Sequence, residues 1–228
     1  MNRRNSLKTG AALVTGLTLM PVVKSAGTSL TEKPVDGFWE VIKNRRSVRA
    51  FQPDPVPEED IRKMIDAARM APTSGNQQPW KFLVITDPKK IEALKTEKLK
   101  ETEAYFRDSK KLSGDTLKEK LAQTEEMLSK GYLSAPALIV VLTDNKSTYP
   151  GYNHWDGPLA AGYLMLAARA LGYGTVFITD SFSEELTKRV FQIPDQYTRV
   201  CITPVGVPKE WPEKEKKSLD EFIVNEKF

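Results

Sequence analysis

Residues 158–178 read PLAAGYLMLAARALGYGTVFI, a pattern for a helix followed directly by a pattern for a strand. Its first part, 158–171, is almost wholly apolar or small, which predicts a helix that is buried on most sides. Gly172 ends that helix, and the β-branched and aromatic residues 175–178 predict a strand directly after it. A buried helix that leads into a strand indicates a sheet covered by helices.

Helices and strands also interleave outward from this stretch. Short apolar runs at 82–85, 137–142 and 199–205 predict buried strands. Helices are predicted at 38–42, after Pro57, across the lysine- and glutamate-rich segment 88–131 with a break near 113–114, and after Ser183. This alternation alone leaves the α/β and α+β classes open.

The composition excludes several kinds of site. The chain has 228 residues with a single histidine, His154, and a single cysteine, Cys201. It therefore forms no intrachain disulfide and no zinc cluster of cysteines and histidines, so we predict no metal site. If the protein is an enzyme, a cofactor is expected to supply the difficult chemistry, and we assign no catalytic side chain.

The first 26 residues have the pattern of an export signal. They contain four basic residues and no acidic one, which accounts for the whole net charge of +4. Arg3 and Arg4 precede a short, weakly apolar stretch, which is typical of a twin-arginine signal. We therefore predict a signal at 1–26 and a periplasmic mature protein, or a cytoplasmic one if the signal does not function. The neutral remainder argues against nucleic acid as a partner, and the apolar stretch is too short for stable membrane insertion.

Two segments stand out as candidate binding sites. Arg45-Arg46-Ser47-Val48-Arg49 places three guanidinium groups and a hydroxyl where a helix gives way to prolines, which suits a phosphate or carboxylate. A solvated surface run is the alternative. The loop 72–79 is polar and bounded by prolines, and its amides and hydroxyls suit a heteroaromatic ring, although it could equally be an ordinary loop. Gly172-Tyr173-Gly174 precedes a strand and lacks a third glycine, so a Rossmann dinucleotide site is not indicated.

Taken together, these segments resemble the nitroreductase family of FMN-dependent oxidoreductases. The R-R-S-x-R-x-F motif of the family corresponds to residues 45–51, and its loop A-P-[ST]-x-x-N-x-Q-P-W corresponds to 71–80. The helix end L-x-A-x-x-L-G-x-G-[ST] corresponds to 166–175, and a closing G-x-P corresponds to 206–208. The resemblance covers about residues 36–226 as one FMN-binding domain. It implies an α+β, three-layer fold with a central, mostly antiparallel sheet flanked by helices.

The resemblance also implies which residues bind FMN. The arginine motif would hold the phosphate and ribityl chain, the polar loop would line the ring from the partner subunit, and a basic pair near the C-terminus would complete the phosphate site. The residues after the strand at 175–178 would lie near flavin N5, where the family usually has a glycine and this chain does not. The expected FMN-binding residues are Arg45, Arg46, Ser47, Arg49, Pro72, Thr73, Ser74, Asn76, Thr179, Asp180, Ser181, Lys214 and Lys216.

The implied function is hydride transfer through flavin N5 to a small electron acceptor such as a nitroaromatic compound or a quinone. NAD(P)H is the usual donor in the family, and an exported protein could instead use a redox partner or a quinol. A homodimer with FMN at its interface is expected. Two alternatives remain: a flavin-binding carrier or sensor without turnover, and a binding module in which the arginines form a generic anion site.

Overall fold

The computed structural model describes residues 37–227, so the predicted signal at 1–26 lies outside the described residues. Six helices and four strands are found in this range. The helices are α1 (Phe38–Asn44), α2 (Glu58–Ala68), α3 (Pro88–Asp108), α4 (Gly114–Lys130), α5 (Asn153–Ala170) and α6 (Glu184–Phe191). The strands are β1 (Trp80–Ile85), β2 (Ala137–Asp144), β3 (Gly174–Thr175) and β4 (Tyr197–Gly206).

The four strands form one antiparallel sheet in the order β1-β2-β4-β3. The central strand β2 is buried along nearly its whole length, which its continuous apolar sequence indicates. Its pairing with β4 contains one bulge: Val141 lies opposite Cys201 and Leu142 opposite Arg199, so that Val200 is an extra residue. A bulge bends the strand and changes the direction of the side chains beside it.

Apolar side chains of β2 alternate between two cores, one on each face of the sheet. Leu138, Val140 and Leu142 pack in a core with residues of α3, α4 and α6. Ile139 packs in a second core with residues of α2 and α5. Helices therefore cover both faces of an antiparallel sheet, which confirms the expected three-layer α+β fold.

Two predicted elements differ from those observed. Helix α5 begins at Asn153, ahead of the predicted start, with Pro158 inside it, and its side chains Leu159 and Tyr163 are exposed. Among residues 158–171 only Pro158, Leu159 and Tyr163 are exposed, so the helix is buried or half-buried over the rest of its surface, as its apolar composition predicts. Strand β3 contains only two residues, and Ile178 makes an isolated bridge farther along β4.

Within residues 37–227 no helix is long and apolar enough to cross a lipid bilayer.

Candidate functional site

The arginine motif follows the end of α1 and pairs with β3. Ser47 forms a parallel bridge with Thr175, and the backbone N–H of Val48 donates to the Thr175 carbonyl at 3.0 Å. Gly174 permits this approach, since a Cβ atom there would lie 2.7 Å from Val48. The motif is thus held in an extended conformation against the sheet, which makes it a fixed part of the fold.

Arg45 and Ser47 line a groove of about 480 Å³, here called the α5 groove. Pro158, Leu159 and Phe177 are among its apolar lining residues, and none of the described residues that line it is acidic. Arg45 is half-buried, and burial together with the neighbouring Arg46 lowers the pKa of its guanidinium. A cation and a hydroxyl in the lining of an otherwise mostly apolar groove suit a ligand that joins an anionic group to a flat ring.

Arg46 lies in a different cavity, here called the basic cleft, of about 660 Å³. Lys214 and Lys216 line the same cleft, together with Arg169 and Trp211, and Glu213 and Glu215 also contribute. The guanidinium of Arg169 stacks on the Trp211 ring at 3.8 Å from its centroid. The structure therefore brings the two tail lysines to Arg46, whereas Arg45 and Ser47 line the α5 groove.

Arg49 lines neither of these two cavities. It is exposed, and its Nη1 donates to the carbonyl of Ser47 at 3.1 Å.

The polar loop is held in place by Asp156, a buried residue in the first turn of α5. Its carboxylate accepts hydrogen bonds from the Ser74 backbone N–H at 3.1 Å and from Gln77 Nε2 at 2.7 Å. Gln77 also exchanges two hydrogen bonds with the backbone of Tyr149, donating at 3.0 Å and accepting at 2.7 Å. These contacts give the loop a defined shape that its sequence alone does not reveal.

The backbone of this loop is unusual. Gly75 has a φ of 56°, and a Cβ atom there would lie 2.5 Å from the Tyr149 ring, so only glycine fits without rearrangement. Asn76 and Gln78 also have positive φ values of 55° and 48°. Left-handed residues other than glycine often occur at functional sites. Pro72, Thr73, Ser74 and Asn76 nevertheless do not line the α5 groove or the basic cleft within one chain.

The segment after the β3 region leads into a third cavity. Thr179 and Asp180 are exposed and Ser181 is partly buried. Thr179 lines a cavity of about 470 Å³, here called the Arg199 cavity, which shares Pro158 and Phe177 with the α5 groove. Arg199 also lines this cavity, and the sequence analysis did not single it out. The available signal was a lone cation in the otherwise apolar run at 199–205.

Two further side chains among the described residues have raised pKa values. Burial raises the pKa of the Cys201 thiol to about 12, so the thiolate is scarce at neutral pH. The Tyr173 hydroxyl donates to Asp60 at 2.8 Å, and burial followed by this contact raises its pKa. His154 is exposed in the first turn of α5 and lines the Arg199 cavity. Among residues 37–227 no group of three or more His, Cys, Asp or Glu side chains could hold a metal ion.

Known proteins resemble this chain over most of its length. A family model described as "Nitroreductase family" matches residues 42–207. A "Putative NADH dehydrogenase/NAD(P)H nitroreductase" of Archaeoglobus fulgidus is 31% identical over 179 residues, 75% of this chain and 85% of that protein. An iodotyrosine deiodinase of Thermotoga neapolitana is 31% identical over 188 residues, 82% of this chain and 96% of that protein.

One of the solved structures that resemble this chain holds two bound molecules. Oxidised iodotyrosine deiodinase bound to FMN and 3-iodo-L-tyrosine matches with a TM-score of 0.66 and 26% sequence identity. The match covers 84% of this chain and 100% of that one.

Proposed function

The chain belongs to the nitroreductase family, and from that membership we propose that it is an FMN-dependent oxidoreductase. It transfers a hydride through flavin N5 to a small electrophilic acceptor, for which nitroaromatic compounds and quinones are the first candidates. FMN as the cofactor is supported by the family and by the FMN-bound deiodinase structure of the same fold.

The α5 groove is the single observation that carries this proposal. Its lining combines Arg45 and Ser47 with apolar residues that include Phe177. FMN has the matching shape, a phosphate joined by a flexible chain to a flat ring. Arg45 and Ser47 would hold the phosphate side, and the apolar residues would contact the ring and exclude water from it.

Other residues of the chain would orient the ring and stabilise charge on it. FMN, when bound, supplies the hydride chemistry at N5. Thr179, Asp180 and Ser181 follow Phe177 closely, so we infer that backbone N–H groups of this segment lie at the ring edge. Fixed donors at that position would stabilise the negative charge of the reduced ring. Lys214 and Lys216 would close the phosphate side from the basic cleft.

We further propose that two copies of the chain form the complete site. Helices α1 and α5 pack together and expose large apolar side chains: Phe38 is 66% exposed, Trp39 69% and Trp155 59%. Large exposed apolar side chains on two neighbouring helices are typical of a protein interface. In such a homodimer the polar loop, with Pro72, Thr73, Ser74 and Asn76, would reach the ring in the partner's groove.

The visible spectrum of the purified protein tests the cofactor, and anaerobic reoxidation tests the enzyme. We expect a yellow protein with about one FMN per chain, whose dithionite-reduced flavin is reoxidised rapidly by a nitroaromatic compound or a quinone. Reoxidation by oxygen alone would favour the carrier or sensor. A protein that stays colourless after FMN is added would contradict the proposal and favour the generic anion site.

Reductive dehalogenation is a second candidate function, because deiodinases are among the relatives that match this chain over most of their length. In this reaction a halotyrosine takes up two electrons and a proton, its carbon–halogen bond breaks, and the halogen leaves as halide. Anaerobic incubation of the reduced protein with 3-iodo-L-tyrosine tests it. Stoichiometric iodide release would support this activity, and reoxidation without iodide release would exclude it.

We also propose that the protein is exported, as the first 26 residues indicate. A periplasmic location would separate it from cytoplasmic NAD(P)H, so its donor in the cell would be a redox partner or a quinol.

A further inference from the structure

Arg199 holds both ends of the segment that leads from the sheet into α6. This segment, residues 179–184, begins directly after Ile178, which pairs with β4 through two backbone hydrogen bonds of 3.1 and 3.0 Å. The Arg199 Nη2 donates to the Thr179 carbonyl at 2.8 Å. Its backbone N–H donates to the Glu184 carboxylate at 3.3 Å. One residue of β4 therefore fixes the segment at its first and last positions.

The guanidinium of Arg199 is only partly satisfied by its surroundings. Its Nε and Nη1 are buried and have no hydrogen-bond partner among the described residues. Burial lowers the pKa of the guanidinium more than the nearby Glu184 raises it. Buried donors without partners destabilise a fold, and an apolar side chain of similar length would avoid this penalty. What the arginine supplies instead is a charged donor at the Thr179 carbonyl.

This carbonyl belongs to the same peptide unit as the Asp180 N–H. In a trans peptide the two groups point in opposite directions, and the described residues contain no cis peptide bond. A donor that fixes the Thr179 carbonyl therefore also fixes the direction of the Asp180 N–H. Because hydrogen-bonded groups polarise one another, a cation at the carbonyl oxygen also strengthens that N–H as a donor.

The Asp180 N–H is available to a ligand close to the proposed flavin site. Asp180 is exposed, and its N–H donates to no acceptor among residues 37–227. Phe177 lines both the α5 groove and the Arg199 cavity, and Thr179 lines the cavity two residues farther along the chain. Two residues of extended backbone span at most about 7 Å. The peptide that Arg199 holds is therefore next to the wall of the α5 groove.

We propose that Arg199 is a positioning residue for the flavin. By holding the Thr179 carbonyl, it directs the Asp180 N–H to the flavin ring and strengthens this donor. The inference rests on the proposed function and adds to it a residue that acts without touching the ligand. A fixed donor stabilises the anionic reduced ring more than the neutral oxidised ring. Arg199 therefore raises the reduction potential of the bound flavin.

The midpoint potential of the holoprotein, measured by anaerobic titration against a reference dye, tests this role. In Arg199→Met we expect the affinity for reduced FMN to fall about 10-fold relative to that for oxidised FMN, which is a potential about 30 mV more negative for a two-electron couple. Its midpoint of urea denaturation should be no lower than that of the wild-type protein, because two unsatisfied buried donors are removed together with one hydrogen bond.

Two further variants control this measurement. Arg199→Lys keeps a charged donor and should restore part of the potential. Arg189→Met removes an exposed arginine of α6, which pairs with acidic residues of α3, and should leave the potential unchanged. A wild-type potential in Arg199→Met would overturn the inference. A lower urea midpoint without a change in potential would also overturn it, by assigning the arginine a structural role only.

Substitution of Asp180 tests the N–H directly. Asp180→Pro removes the N–H, whereas Asp180→Ala removes the carboxylate and keeps the N–H. Relative to Asp180→Ala, Asp180→Pro should lower the potential by a similar amount, about 30 mV. Adding Arg199→Met to Asp180→Pro should lower it little further, because both changes act on one donor. Fully additive shifts would overturn the inference.

The outcomes also separate this inference from the proposed function. A protein that binds no FMN would refute both. A bound flavin that turns over, with the same potential in the wild-type protein and in Arg199→Met, would refute this inference alone. If Asp180→Pro does not fold, the potentials of Arg199→Met and Arg199→Lys still decide the result.

Discussion

Replacing Asp156 by alanine should unfold or loosen the polar loop at 72–79, because this one carboxylate supports it at two points. The substitution removes the hydrogen bonds to the Ser74 N–H and to Gln77 Nε2. Hydrogen bonds to a charged group contribute about 1.5–3 kcal/mol each. Ser74 and Gln77 are only partly buried, so water can hydrogen-bond to the donors that lose the carboxylate and offset part of the loss. We expect the free energy of unfolding to fall by about 2–4 kcal/mol.

Asp156→Asn should lower the free energy of unfolding by less, about 1–2 kcal/mol. The amide oxygen of the asparagine still accepts one of the two hydrogen bonds, whereas its NH2 group faces the other donor. Gln77 cannot relieve this conflict by turning its amide, since its Oε1 already accepts from the Tyr149 N–H. Urea denaturation measures both changes, and FMN titration should show weaker binding in both variants.

An exposed aspartate provides the control for this prediction. Asp66 on α2 pairs with Arg69 at the surface, so Asp66→Ala should change stability by less than about 0.5 kcal/mol. The reasoning would be refuted if Asp156→Ala were no less stable than Asp66→Ala and bound FMN as tightly as the wild-type protein.

The remaining predictions concern the phosphate site and the leader. Arg45→Ala should weaken FMN binding by about 10- to 150-fold and leave the fold intact. An unchanged affinity in fluorescence titration would show that Arg45 does not bind the phosphate. Neutralising Lys214 and Lys216 together as glutamines should weaken FMN binding less than Arg45→Ala does; a larger loss would move the phosphate to the basic cleft. Replacing Arg3 and Arg4 by lysines should trap full-length protein in the cytoplasm, and cell fractionation that finds the wild-type protein uncleaved there would end the export proposal.

The sequence by itself determined the class of fold and the location of the candidate segments. Continuous apolar runs such as the one in β2 indicate buried strands, because a strand covered on both faces places the side chains of both faces in apolar surroundings. The sequence also predicted the start of α6 at Ser183 and the break between α3 and α4. Helix caps and turns depend on neighbouring residues, so they can be predicted locally. The four family motifs are also local in the sequence, and they indicated the FMN-dependent family.

Only the tertiary structure decided how these segments combine. It placed Arg45 and Arg46 in different cavities although they are adjacent in the chain, because successive residues of an extended segment point to opposite sides. It brought Asp156 into contact with a loop residue 82 positions away in the chain. It also contains a bulge in β4 beside the Arg199 cavity, which no local sequence pattern predicts. Such contacts depend on strand register and on the closeness of a helix to the sheet, which are set by the packing of the whole domain and not by neighbouring residues.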